Sequence, residues 1–361
     1  MASKKKVALL YGGRSVEHGV SVNSAKNIFE FIDKEQFEPL AIGISKKGQW
    51  FLTKTVDKDI EQGQALGLIL DPDKAGFIIL SNSDRIKADI IFPVLHGTDG
   101  EDGSIQGMIK ALNVPMVGTG VLGSSISMNK IVAKRLLKDA GIPVTKFVAF
   151  HFSDQKKIKF EAIEKQVGLP FIVKSASLGS SVGVTKVSKK NDFKKALDEA
   201  FRYDHEVIIE EFITGREIEC AILGNAPAEA SNPGEIVVSK EYEFYTFDAK
   251  YVDSKAVEIK VPAALSKDVI KKIQEVSLQA YQVLHCEDFS RVDLFLTKKG
   301  KVYVNEINTI PGFTDSSMFP MMWKERGMSF TDLITKLIHL AYERHNANNR
   351  LQHDFQSSLR F

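Results

Sequence analysis

Two kinds of apolar pattern divide the chain. Near the N-terminus, Val7-Ala8-Leu9-Leu10-Tyr11 is a continuous apolar run, as expected of a strand buried on both faces. Gly12-Gly13-Arg14-Ser15 follows, and a helical stretch is predicted through 24–32. Strand, glycine turn and helix open a doubly wound α/β unit whose helix N-terminus is available to an anion. Further strands are predicted over 38–44 and 88–95, with Trp50-Phe51-Leu52 as an edge ribbon. Residues 122–140 read as one helix, closed by Gly141 and Pro143. After Pro143 the pattern shortens. Strands are predicted over 171–174 and 207–213, with an Asp192-capped helix through Ala200 between them. An amphipathic helix spans 266–284, followed by a structural His285. Ser329 and Asp332 open a last helix, and a polar tail begins at Asn346.

The most informative stretch is a hairpin. Its strands are Phe289-Ser290-Arg291-Val292-Asp293-Leu294-Phe295-Leu296 and Lys301-Val302-Tyr303-Val304-Asn305-Glu306-Ile307-Asn308, joined through Lys298-Lys299-Gly300. Strand side chains alternate faces, so Arg291 and Asp293 share one face, and Glu306 and Asn308 share one. With the turn over 298–301, Asp293 falls opposite Glu306, and Arg291 opposite Asn308. Directly opposed carboxylates repel, so this register is unfavourable without a cation between them. Three oxygen-bearing side chains on one face suit Mg²⁺, usually held by one or two carboxylates plus substrate phosphates. Taken alone, the same face also reads as a solvated strand surface.

Other candidate chemistry lies in loops. Ser175-Ala176-Ser177-Leu178-Gly179-Ser180-Ser181-Val182-Gly183-Val184 joins two strands as a small-residue flap whose backbone N–H groups can surround phosphate oxygens. An ordinary mobile hairpin fits it equally. Glu17 and His96 both follow predicted parallel strands and belong at one rim, where α/β domains place ligands.

Composition narrows the class. With 361 residues, two or three domains are expected. A net charge of +2, spread along the chain, points to neither nucleic acid nor a membrane surface. There is no signal peptide and no long apolar span, so a cytoplasmic protein is expected. Two cysteines, Cys220 and Cys286, are too few for a disulfide framework and are expected as buried thiols.

In order, YGGRSVEHGVS, LHGTDGEDGSIQG, KSASLGSSVGV, EEFITGREIE, FDAKY, SRVDLFL and NEINTIPGFTDSSM resemble the motifs of D-alanine–D-alanine ligases of the ATP-grasp superfamily, over about 7–342. The resemblance implies an α/β chain, with α+β character in its ATP-grasp part. An N-terminal Rossmann-like substrate domain would cover 1–122 and a central lobe with the flap 123–214. A C-terminal lobe with the metal and catalytic site would cover 215–345, and a polar tail 346–361. It implies ATP-dependent joining of two D-alanine molecules through an acylphosphate, for peptidoglycan, with two Mg²⁺ for which Mn²⁺ can substitute. It also implies a homodimer.

Residue by residue, the resemblance implies that Asp293, Glu306 and Asn308 hold the metal. Lys130, Lys174 and Lys250 would contact phosphate oxygens under the Ser180-Ser181 flap. Glu210, Glu211, Ile213 and Glu217 would line the adenosine pocket. Arg291 and the Gly312 N–H would face the tetrahedral centre. Glu17 would take the first ammonium with His96 near its carboxylate, and Ser317 and the Met318 N–H the second carboxylate. Glu17, Ser180 and Tyr251 would link the flap to the site. The chain departs from the family pattern at Gly19 (usually glutamate), Asn129 (usually aspartate), Ser175 (usually proline) and Ser177-Leu178 (often Arg-Glu). These departures bear on the support of Glu17, the placing of Lys130 and flap closure. The nearest rival is a D-alanine–D-lactate ligase or one with another acceptor, against which Tyr251 argues. A decayed nucleotide-binding protein would have lost metal ligands or Arg291, and all are present.

Overall fold

A computed structural model of the chain describes residues 3–180, 182–239 and 257–352. The first apolar run is β1 (Lys5–Gly12), flanked in parallel by β2 (Phe37–Ile44) and β7 (Ile90–Pro93). This is the expected parallel core, with α1 (His18–Phe31) returning the chain from β1 to β2. The helix starts earlier than its apolar stripe suggested. The sheet then continues, antiparallel, through β3 (Trp50–Thr53), β4 (Gln64–Ile69), β5 (Gly76–Ile79) and β6 (Arg85–Ile86), in the order β6-β5-β4-β3-β2-β1-β7. Trp50-Phe51-Leu52 is therefore an interior strand, not an edge. The strands beyond it are short and lack clean alternation, which is why they gave no signal. The helix α2 (Ser104–Ala111) covers one face of this sheet.

The predicted helix over 122–140 is two, α3 (Val121–Met128) and α4 (Lys130–Asp139). Asn129 breaks it by taking an extended backbone, and its Oδ1 accepts from the Ile131 and Val132 N–H groups at 3.1 Å. An N-cap satisfies donors that would otherwise have no intrahelical partner. Aspartate would cap equally, but the Asn129 Nδ2 also donates to Glu206 Oε2 at 3.1 Å. A second carboxylate there would face Glu206 with like charge.

A second, antiparallel sheet contains β8 (Phe147–His151), β9 (Phe171–Ser175), β10 (Thr185–Val187) and β11 (Glu206–Glu211), ordered β10-β9-β11-β8. Behind it lie α5 (Phe160–Val167) and α6 (Lys190–Ala200). The cap of α6 is Lys189, not Asp192. Asp192 sits in the first turn, where its charge still suits the helix dipole. The third sheet holds β12 (Gly215–Leu223), β13 (Glu229–Ala230), β14 (Gly234–Val238), β15 (Val257–Lys260), β16 (Phe289–Thr297) and β17 (Val302–Asn308). Its order is β15-β14-β12-β16-β17, with β13 beside β12.

The amphipathic helix α7 (Lys267–Val283) packs Ile273, Ala280 and Tyr281 on this sheet. His285 follows it with φ 52°, and the Cys286 and His285 N–H groups donate to the Tyr281 and Gln282 carbonyls. That pattern closes a helix end, so the exposed His285 is structural through its backbone.

Two helices finish the chain, α8 (Met318–Glu325) and α9 (Phe330–Asn348). The last helix runs past Asn346, and the boundary expected at 345 falls inside it, as the one at 122 falls inside α3. Leu333, Ile334, Leu337 and Ile338 of α9 share one core with Ile28, Ile90, Phe92, Ala221 and Phe289. Each of the leucine, isoleucine and phenylalanine side chains contributes roughly 1.5–3 kcal/mol on burial. The C-terminal helix thus joins the first domain to the third sheet. Cys220 and Cys286 are buried free thiols, and burial pushes both up to about 12.

Candidate active site

The carboxyl-bearing hairpin is β16 and β17. Asp293 pairs with Glu306 and Arg291 with Asn308, as the sequence reading expects, but by a different route. The loop is one residue tighter, with Leu294 opposite Val304 and Leu296 opposite Val302, and a bulge at Asn305 restores the register at the site. A bulge puts two consecutive residues against one partner. Asn305 therefore joins Glu306 on the cleft wall, and its Oδ1 lies 3.4 Å from Lys174 Nζ. On the other side of β16, Glu219 lies opposite Asp293. Three carboxylates thus stand in a row across three strands. Sequence reading missed Glu219 and Asn305. The first could have been found from its i+2 spacing to Glu217.

Cations offset that row. Arg291 donates to both Asp293 oxygens at 2.7 Å, and its Nε lies 2.9 Å from Glu219 Oε2. Asn308 Nδ2 donates to Asp293 at 3.0 Å. Lys130 Nζ lies 3.2 Å from Glu306 and donates to the Leu178 carbonyl at 2.9 Å. Among the described residues, no group of three or more His, Cys, Asp or Glu is arranged to hold a metal ion. The ribbon offers two opposed carboxylates and an amide oxygen instead.

Facing the ribbon is a cleft of about 390 Å³ between the second and third sheets. Lys130, Lys174, Glu210, Glu211, Ile213 and Glu217 all line it, with Asp293 and Glu306. Lys186 is a further lysine on its wall, 4.5 Å from the Phe212 ring centroid. Glu210 lies at the buried end, ion-paired to Lys174 and, at 2.8 Å, to Lys134. Burial opposes its charge, but Lys134 and Lys174 outweigh burial and hold the carboxyl well below its usual range. For Lys174, burial is likewise outweighed, by Glu210 and Glu306, and its pKa rises. Glu211 turns away to accept from the Lys146 N–H at 2.7 Å.

Lys134 is fully buried and donates to Thr145 Oγ1 at 2.9 Å. Lys134→Met keeps the bulk and removes both polar contacts. It should lower unfolding free energy by ~1–3 kcal/mol, read from urea denaturation. An unchanged midpoint would remove Lys134 from this network.

Glu17 and His96 do meet at one rim. Glu17 is buried, accepts from the Ser180 hydroxyl, and is enclosed by glycines. A Cβ at Gly97 or Gly179 would come within 2.7 Å of Glu17 Oε2. Ser180 carries φ 55°, so the flap reaches the first domain through a left-handed residue. A Cβ at Gly19 meets nothing within 4 Å among the described residues, so a longer side chain would start into open space there. The Ser175 hydroxyl donates to the Ala200 carbonyl at 2.7 Å.

His96 was expected beside a substrate carboxylate. Its Nε2 lies 3.0 Å from Ser24 Oγ, and the ring also hydrogen-bonds the Ile310 backbone. Burial lowers its pKa. Glu101, missed in the sequence, accepts from the Gly97 N–H at 2.8 Å and the Ile310 N–H at 3.1 Å. Burial first, then the Glu17 charge, lifts it to about 8. Ser317 caps α8 and accepts from the Thr314 N–H at 3.1 Å, which puts Met318 in the first turn. A Cβ on Gly312 would lie 3.2 Å from Ser317 Oγ. Ser181, Lys250 and Tyr251 lie outside the described residues.

Comparison with known proteins agrees with this arrangement. Residues 6–119 match the family profile described as D-ala D-ala ligase N-terminus, and 136–339 that described as D-ala D-ala ligase C-terminus. The chain is 45% identical to the D-alanine–D-alanine ligase of Shouchella clausii (strain KSM-K16), over 97% of this chain and 98% of that one. It is 44% identical to D-alanine–D-alanine ligase A of Escherichia coli (strain K12), over 97% and 99%. Among solved structures, the D-alanine-D-alanine ligase from Coxiella burnetii superposes with a TM-score of 0.83 at 35% identity, covering 96% of this chain and 98% of that one. The VanG D-Ala:D-Ser ligase from Enterococcus faecalis gives 0.85 at 36%, covering 94% and 100%.

Proposed function

The chain belongs to the D-alanine–D-alanine ligase family, and on that premise we propose that it joins two D-alanine molecules into a dipeptide for peptidoglycan, using ATP. The observation that carries the reading is the cleft itself: Lys130 and Lys174 line it together with Asp293 and Glu306, Lys130 in ion-pair contact with Glu306. Phosphates need cations, and the opposed carboxylates need one between them.

The donor set fits Mg²⁺, a hard ion that takes one or two carboxylates plus phosphate oxygens and water. Asp293, Glu306 and Asn308 would hold it, two ions in all, with Mn²⁺ an alternative. When bound, the metal would neutralise phosphate charge. Lys130 and Lys174 would exchange Glu306 and Glu210 for phosphate oxygens, and Lys250 would join them. Ser180 and Ser181 would close over the phosphates. Ile213 and Glu211 would offer backbone groups to adenine, and Glu217 a carboxylate to the ribose.

In the first step, a D-alanine carboxylate oxygen attacks the γ-phosphorus and ADP leaves. In the second, the amine of another D-alanine attacks the acylphosphate carbon and phosphate leaves, with loss of a proton. Glu17 would hold the first ammonium. Ser317 and the Met318 N–H, at a helix N-terminus, would hold the second carboxylate. Arg291 and the Gly312 N–H would stabilise the tetrahedral centre. Glu17, Ser180 and Tyr251 would keep the lid shut and water out. Among the described residues, no helix is long and apolar enough to cross a membrane. A cytoplasmic homodimer is the accompanying reading.

The test is phosphate release from MgATP, with products identified when D-alanine, D-lactate and D-serine are offered together. Release that requires D-alanine and not L-alanine, with D-alanyl-D-alanine as the main product, is expected. A depsipeptide or D-alanyl-D-serine as main product would move the reading to another acceptor. Release independent of D-alanine would end it.

A further inference from the structure

The segment Ile310-Pro311-Gly312-Phe313 lies in the C-terminal part of the chain, yet residues of the first domain hold both its ends. At one end, the Ile310 N–H donates to Glu101 Oε1 at 3.1 Å, while Glu101 Oε2 accepts from the Gly97 N–H at 2.8 Å. At the other, the Phe313 N–H donates to Ser24 Oγ at 3.3 Å. Ser24 is fully buried, and its hydroxyl, accepting there, also lies within hydrogen-bond distance of His96 Nε2, at 3.0 Å. The Phe313 ring is fixed among Phe92, Phe289, Phe319 and Phe330, at centroid distances from 5.3 to 6.3 Å.

We propose that Glu101 and Ser24 are positioning residues for the ligation: from opposite ends they hold the Ile310–Phe313 backbone so that the Gly312 N–H stays aimed at the reacting carbon. The proposal rests on the reading above, which makes Gly312 an oxyanion donor. Gly312 is otherwise the residue with the most backbone freedom in the segment. Pro311 fixes one neighbouring φ and adds no donor. Anchors at 310 and 313 remove the remaining freedom. A preorganised donor needs no reorganisation as charge develops. Glu101 suits the task because each of its two carboxyl oxygens accepts from a different loop. A glutamine can accept on one side only and would turn an NH₂ group toward the other N–H.

The experiment uses the full chain with Glu101→Gln and, separately, Ser24→Ala. Two quantities are read: amide hydrogen exchange over 309–313, and steady-state kinetics with MgATP and D-alanine. Exchange in this segment should rise at least ~10-fold at an unchanged thermal midpoint, through local opening. kcat should fall ~10–10²-fold, with KM for ATP and D-alanine close to wild type. Unchanged exchange overturns the clamp. Faster exchange with unchanged kcat overturns its role in the reaction, as does a kcat loss that only follows weakened ATP binding or a lowered midpoint. If the wild-type chain makes no dipeptide, the functional reading fails and the catalytic half of this proposal fails with it. The exchange arm still decides whether Glu101 and Ser24 hold the loop.

Discussion

Arg291→Ala is expected to leave the chain folded and able to bind magnesium and ATP, while turnover falls by ~10²–10³. The separation follows from where the guanidinium sits. It bonds both oxygens of Asp293 and lies against Glu219, in the middle of the Glu219-Asp293-Glu306 row. Removing it leaves Asp293 flanked by like charges, which strengthens rather than weakens the pull on a cation. What disappears, on the proposed roles, is the guanidinium that would meet charge developing only as the tetrahedral centre forms. ATP affinity by calorimetry and kcat by phosphate release check the split. A variant with near-normal kcat would remove Arg291 from the chemistry. Loss of nucleotide binding in step with kcat would make its role the assembly of the site.

Glu306→Ala should behave in the opposite way. It removes one of the two opposed carboxylates, and with it the reason a divalent ion would be preferred there. Lys130 loses its ion-pair partner at the same time. A metal ligand supplies several kcal/mol of charge stabilisation, and about 4 kcal/mol is about 10³ in rate, so turnover should fall at least ~10³-fold. Magnesium dependence of ATP binding should be lost together with it. Turnover that stays near wild type, with normal magnesium dependence, would place the metal elsewhere.

The parts of this site that were legible in the sequence are local. The strand alternation of 289–296 and the glycine of its turn gave the facing of Asp293 and Glu306, because period-2 patterns and turn residues act over a few positions. The Asn305 bulge was not legible, since nothing in Val304-Asn305-Glu306 marks which residue is extra. The pairing still landed on the right partners because the shorter loop and the bulge offset each other. Asn129 was read as part of a helix because its apolar neighbours keep the helical period across it. Its side chain instead caps the second helix. The least legible features are those that join distant segments. Ser24 meets Phe313 across 289 positions and Glu101 meets Ile310 across 209. No local pattern encodes such pairs. Glu101 stood in plain view in the loop after β7, but only the fold shows that its carboxylate spans two loops.

The central claim is that the cleft lined by Lys130, Lys174 and the acidic ribbon would hold a triphosphate together with a metal ion. Calorimetric titration of ATP into the wild-type chain, with magnesium and then with EDTA, tests it most directly when repeated on Glu306→Ala. Wild-type affinity should be at least ~10-fold higher with magnesium, a difference of about 1.4 kcal/mol, and Glu306→Ala should show no such difference. Equal wild-type affinity under both conditions, or a magnesium effect that survives the loss of Glu306, would contradict the account.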